Sequence, residues 1–202
     1  MGGPTVRVVW PGTWRRGACL AAALALAACA TGPQPEEAAA PAPPADLVAR
    51  LPAEAAGFRR GTLLPLPQRL EGQEVAYATR GRLAAGALIE LYRLPEGPVP
   101  AGAASPAAAA ALTELLQEAL RAPGHRQQRE TARLTLPAGG APGLACAETT
   151  GLYGRERVQG LLCAGGVGGG ILRLRVTMPQ REPAPADPRA FATAILVALR
   201  GT

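Results

Sequence analysis

The residue types able to do chemistry in this chain are few. Every one of the 21 cations is Arg, and His125 is the only histidine. The absence of Lys excludes Schiff-base and lysine-nucleophile chemistry. A single His excludes a multi-histidine metal site. Ser105 and His125 could be imagined as nucleophile and base, but no nucleophile motif surrounds Ser105. Its place before Pro106 makes it a helix cap, and His125 beside Pro123-Gly124 reads as a loop histidine. Gly165, Gly166, Gly168, Gly169 and Gly170 could suggest a phosphate cradle. They do not follow G-x-G-x-x-G and run into a strand, so they read as a flexible hairpin loop. No catalytic, cofactor-binding or metal-ligating set emerges, and the expectation is a protein that is not an enzyme and uses no cofactor.

Two groups of residues remain. Cys146 and Cys163 flank a hairpin whose two-residue turn is Gly154-Arg155, and counting outward from that turn sets them directly opposite one another. Cross-strand Cβ atoms about 4.5–5.5 Å apart need little adjustment to form a disulfide. A redox pair would want Cys-x-x-Cys spacing and a helix N-terminus, which are lacking; two reduced, buried cysteines are the other alternative. The second group is arginine. Arg173 and Arg175 project from one face of the last strand. Arg155 and Arg157, with Arg59, Arg60, Arg80, Arg82, Arg126 and Arg129, fall near strand ends. They form a candidate surface for an anionic partner such as lipid headgroups or a periplasmic polymer. The alternative is a solvated surface in a chain where Arg supplies all positive charge.

The N-terminus governs how the composition is read. Arg7, Arg15 and Arg16 precede an uncharged Ala- and Leu-rich run, 17–30, which ends in Leu26-Ala27-Ala28-Cys29. At roughly 1.5 Å per residue this run is too short for a bilayer core of about 30 Å, which favours a cleaved signal. The LAAC run resembles the lipobox of bacterial lipoproteins. That resemblance implies cleavage between Ala28 and Cys29 and lipidation of Cys29, which becomes the first mature residue and the membrane anchor. Ala30, not Asp, follows the cysteine, and by the same resemblance this points to the periplasmic face of the outer membrane, with the inner membrane or cell surface as alternatives. An ordinary signal cut elsewhere in the Ala run is the competing reading. Cleavage would remove Cys19, Trp10, Trp14 and three arginines, lowering the formal charge from +6 by three to +3. So modest a balance gives no argument for nucleic-acid binding, and Cys146 and Cys163 are left as an even pair in an oxidising compartment.

The elements that must position these residues follow. Residues 29–46 are a Pro/Ala-rich tether, and 47–202 are expected to fold as one α+β domain. A helical turn at Leu47–Leu51 stops at Pro52. Strands are expected at Gly57–Gly61, around Val75, Tyr77 and Thr79, and at Ala87–Leu94. The last carries Leu88 and Tyr92 on one face and Ile89 and Leu91 on the other, which implies cover on both sides of the sheet. Ser105 and Pro106 start a helix with an apolar stripe of Leu112, Leu115, Leu116, Ala119 and Leu120. Strands resume at Thr131–Leu136, with Ala132, Leu134 and Leu136 inward, then at Gly143–Thr149, Arg157–Ala164 and Ile171–Met178. Asp187-Pro188 opens a final helix that Gly201 ends. Connections this short predict a mainly antiparallel sheet flanked by helices.

The succession LPAEAAGFRRG, ALIELYRLPEG, the Ser-Pro helix, RVQGLLCAGGVGGGILRLRVTMP and a closing helix is similar to a group of uncharacterised bacterial exported proteins, whose layout resembles the PsbP-like α/β/α sandwich. The resemblance spans roughly Leu51 to Gly201. It implies a binding or assembly factor without a catalytic motif; GGVGGG departs from the group, which tends to have an aromatic and a charge there. The expected function is a membrane-anchored periplasmic lipoprotein that serves as a non-catalytic binding or assembly module for a protein or envelope component. The alternative is binding of a small anionic ligand. A flat apolar patch would favour the first, and a pocket with convergent Arg and carboxylates the second.

Overall fold

Period-two patterning and short turns give a run of antiparallel hairpins, and in the computed structural model they assemble into one eight-stranded sheet of order β1-β2-β3-β4-β8-β7-β6-β5. The structure describes residues 44–81, 84–121, 128–137 and 143–201. The strands are β1 (Glu54–Ala55), β2 (Phe58–Pro65), β3 (Leu70–Thr79), β4 (Gly86–Arg93), β5 (Gln128–Leu136), β6 (Leu144–Tyr153), β7 (Glu156–Val167) and β8 (Gly170–Pro179). All neighbouring pairs are antiparallel. Three helices accompany them: α1 (Pro44–Arg50), α2 (Pro106–Leu120) and α3 (Pro188–Arg200). The α+β expectation holds. Helix α1 starts inside the segment assigned to the tether, because Leu47 and Val48 are buried in the core and draw the preceding turn with them.

Local signals account for the helix ends. The Ser105 side chain accepts from the Ala108 N–H at 3.1 Å, and Pro106 follows where a missing N–H costs nothing. Asp187 accepts from the N–H groups of Arg189 and Ala190 at 2.9 and 3.0 Å. Gly201 closes α3 at a φ of 68°, the left-handed conformation glycine adopts freely.

The helices divide between the two faces of the sheet. On the first face, α1 and α3 cover Phe58, Val75, Tyr77, Ile89, Leu91, Leu172, Leu174 and Val176. Phe191 of α3 lies 4.4 Å from Phe58 and 5.2 Å from Tyr77 between ring centroids. Polar atoms finish this layer. The Tyr77 hydroxyl donates to the Pro52 carbonyl at 2.7 Å, and Arg60 donates to the Leu51 carbonyl at 2.8 Å. On the second face α2 is the one helix among the described residues, burying Leu112, Leu115 and Leu116 against Tyr92, Ala147, Leu162, Ala164 and Ile171.

Three expected core positions are exposed, and Leu134 is half-buried. Leu88 is exposed, because α2 covers β4 only at its Tyr92 end. Leu120 turns to solvent at the last turn of α2. Ala132 is exposed beside a register shift between Glu130 and Ala132 that interrupts the alternation of β5.

Candidate functional site

The Cys146–Cys163 expectation meets its geometry. Gly154, at a φ of 63°, and Arg155 form the two-residue turn between β6 and β7. Cys146 then pairs directly with Cys163, and the two sulfurs sit at disulfide distance. Both are buried on the first face. A cross-link closing a loop of this size would stabilise a fold by about 3 kcal/mol. Ser105 acts as a cap. His125, Ala28 and Cys29 lie outside the described residues.

The glycine run is not a flexible loop. Gly165 and Gly166 belong to β7, the turn is Gly168-Gly169, and β8 starts at Gly170. The connection from β4 to α2 lies across this run: Val99 pairs with Gly169, and Gly102 exchanges backbone hydrogen bonds with Gly166 at 2.8 and 2.9 Å. A Cβ on Gly166 would come within 1.9 Å of the Pro100 carbonyl oxygen. At Gly166 a side chain is excluded because a second backbone occupies its space, and Gly168-Gly169 make the turn at positive φ.

The arginines separate into two kinds. Arg173 and Arg175 share the second face of β8 as expected, but they do not form an open surface, because α2 lies over them. Arg173 is only 2% exposed. Its guanidinium reaches Glu118 at 2.6 Å, Glu90 at 3.3 Å and Glu114 at 3.5 Å. Arg175 takes the other Glu118 oxygen at 2.7 Å. Arg69 joins the network by pairing with Glu114 at 2.6 Å and lying over the Tyr92 ring at 4.7 Å. Burial opposes charge on Arg173, and the attraction of Glu90 and Glu118 outweighs it, so its pKa rises. Burial pushes the Glu90 carboxyl upward, with Arg173 pulling against it. These groups pin α2 to the sheet. Sequence spacing held one signal for them: Glu114 and Glu118, four apart on a helix, meet Arg173 and Arg175, two apart on a strand.

Arg155 and Arg157 are of the second kind. Both are exposed and have no carboxylate within ion-pair distance among the described residues. Arg129 shares this condition and lies at the same end of the sheet.

Beside the Arg173 network no helix of the described residues covers the second face. Leu64 on β2 and Leu88 on β4 are 50% and 37% exposed. Leu64 stands opposite Glu74, and Leu88 stands between Ala76 and Arg175. Ala78 and Gly86, paired with each other, extend the same strip. Ala76, Gly86, Leu88, Arg175 and Thr177 border a shallow depression of about 290 Å³. Sequence reasoning placed Leu88 on an apolar face and missed that no helix of the described residues covers it.

No family model matches the chain, and no curated protein and no solved structure matches it either.

Proposed function

We propose that the protein is a lipid-anchored periplasmic lipoprotein, held at the outer membrane through Cys29, whose domain is a non-catalytic binding module for a protein partner. The single observation that supports the docking role is the bare β2–β4 half of the second face. Among the described residues the first face holds two helices and the second holds one, so a strip with Leu64, Ala76 and Leu88 lies open beside α2. Its border carries Glu74, Glu90 and Arg175. An apolar centre with a charged rim suits an amphipathic helix of a partner laid alongside α2. Helices on both faces of an antiparallel sheet also fit the PsbP-like reading, whose members are mostly binding or assembly factors.

A photo-crosslinking residue at Leu88 in the native envelope tests the docking role. A discrete adduct at Leu88, absent when the same residue replaces Val197 on the outer side of α3, is expected. No adduct, or the same products at both positions, would refute it. Cys29→Ala is expected to make the uncleaved precursor accumulate; normal processing of that variant would sink the anchor.

A second reading, binding of a small anionic ligand, is favoured by Arg129, Arg155 and Arg157, which gather at one end of the sheet without a carboxylate partner among the described residues.

A further inference from the structure

Past the start of α3 no helix of the described residues covers the first face of the sheet. On β6, Glu148 is the last residue of that face held by the helix: it accepts from Arg189 at 2.6 Å. The next residues of the same face are Thr150 and Leu152. Thr150 stands opposite Arg129 on β5, and Leu152 stands opposite Arg157 on β7. Gln180 is tied to this rung by its backbone N–H, which donates to the Arg157 carbonyl at 2.8 Å. Arg129, Thr150, Leu152, Arg157 and Gln180 border a depression of about 290 Å³.

We propose that this depression is an oxyanion-binding site that takes a phosphate group bearing an apolar substituent, with Arg129, Thr150 and Arg157 as its ligands. The proposal rests on the anionic-ligand reading and is independent of both the docking strip and the anchor. Charge is the first argument. The carboxylates of this neighbourhood already have partners: Glu148 with Arg189 at 2.6 Å, Glu156 with Arg181 at 2.5 Å, and Glu130 with Arg133. The positive charge of Arg129 and Arg157 is therefore left uncompensated. The second argument is an unused hydroxyl. Thr150 Oγ1 exposes almost no surface and has no hydrogen-bond partner among the described residues, and a ligand oxygen meets it after the side chain turns about its Cα–Cβ bond. A buried hydroxyl without a partner carries a desolvation penalty that a ligand oxygen would relieve. The third is geometry. Three neighbouring strands each contribute one donor group, two of them forked guanidiniums. A tetrahedral oxyanion has an oxygen for each; a carboxylate has only two. Leu152, 45% exposed, adds an apolar wall on which a substituent would rest.

Such a phosphate comes either from a soluble ester or from a lipid headgroup, and one titration separates them. Inorganic phosphate, phenyl phosphate and dihexanoyl phosphatidic acid are each titrated calorimetrically into the full-length chain in non-ionic detergent. Saturable binding is expected, tighter for phenyl phosphate if soluble esters are the ligand class and tighter for the phosphatidic acid if headgroups are. Arg129→Gln and Arg157→Gln should each weaken it by about tenfold or more, the loss of one charge-assisted contact. Thr150→Val should weaken it, and Thr150→Ser, which keeps the hydroxyl, should restore it. Arg121→Gln, the same charge change at the exposed end of α2, should leave it unaltered. Saturable binding that all variants share would overturn this site while leaving the anionic-ligand reading standing. No saturable binding of any of the three would overturn both. Thermal melts of each variant identify any that fail to fold, and the conservative Thr150→Ser and the surface Arg variants then carry the result.

Discussion

The two faces of the sheet are built from the same strands but held by different physics. The first face is an apolar sandwich in which α1 and α3 lie on Phe58, Ile89, Leu174 and their neighbours, with Phe191 at its centre. The second face is divided. Half is sealed by α2, whose apolar stripe is supplemented by a row of ion pairs around Arg173; the other half is left uncovered by the described residues. Apolar contact is non-directional and lets two helices settle wherever area is buried. Charged pairs fix one helix in one place and leave the strip next to it free. The covered face therefore serves stability, and the divided face has room for a partner.

Four measurements sharpen or break this contrast, in order of expected size. Phe191→Ala, which empties the centre of the first face, should cost about 4 kcal/mol in denaturant unfolding; a loss like that of a surface substitution would mean that the face is not the core. Arg173→Met should cost about 3 kcal/mol, because Glu90, Glu114 and Glu118 would lose the cation they share. If Arg173→Met proved neutral, α2 would be held by its leucines alone. Leu88→Ser should change stability by less than about 0.5 kcal/mol, as for exposed positions, while abolishing the adduct that a photo-crosslinking residue at Leu64 forms on the same strip. A large loss of stability would place Leu88 in the core. The smallest effect concerns Glu90. Its folded pKa is raised by burial above the ordinary 4.5, so the folded state binds a proton more readily than the unfolded one. As pH falls through the folded pKa towards 4.5, wild type should gain stability relative to Glu90→Gln; a relative loss there would show that pairing with Arg173 outweighs burial.

Much of the fold is legible in the sequence. Ser105-Pro106 and Asp187-Pro188 mark helix starts, and Gly154-Arg155 sets the Cys146–Cys163 register by counting alone. The missed features share a cause. Residues 165–170 look like a loop because glycines punctuate sequences, whereas here they end β7 and begin β8, and a second segment of backbone fills the space a side chain would take at Gly166. Arg173 looks like a surface residue because arginines are, and only its meeting with α2, contributed by residues more than fifty positions earlier, makes it a buried hub. The exposed Leu88 looks like a core residue because its strand alternates between two apolar sets.

The sequence by itself determines the periodicity of each strand, the caps of α2 and α3, the hairpin register of the cysteines and the expectation of a lipidated Cys29. All of these depend on residues close along the chain, where sterics, hydrogen-bond caps and turn lengths act. Only the tertiary structure decides which half of a sheet face is covered, which arginines find carboxylates and which remain free. Those outcomes depend on where a helix of fixed length comes to rest on an eight-stranded sheet, and that is set by the sum of many long-range contacts that no local pattern encodes.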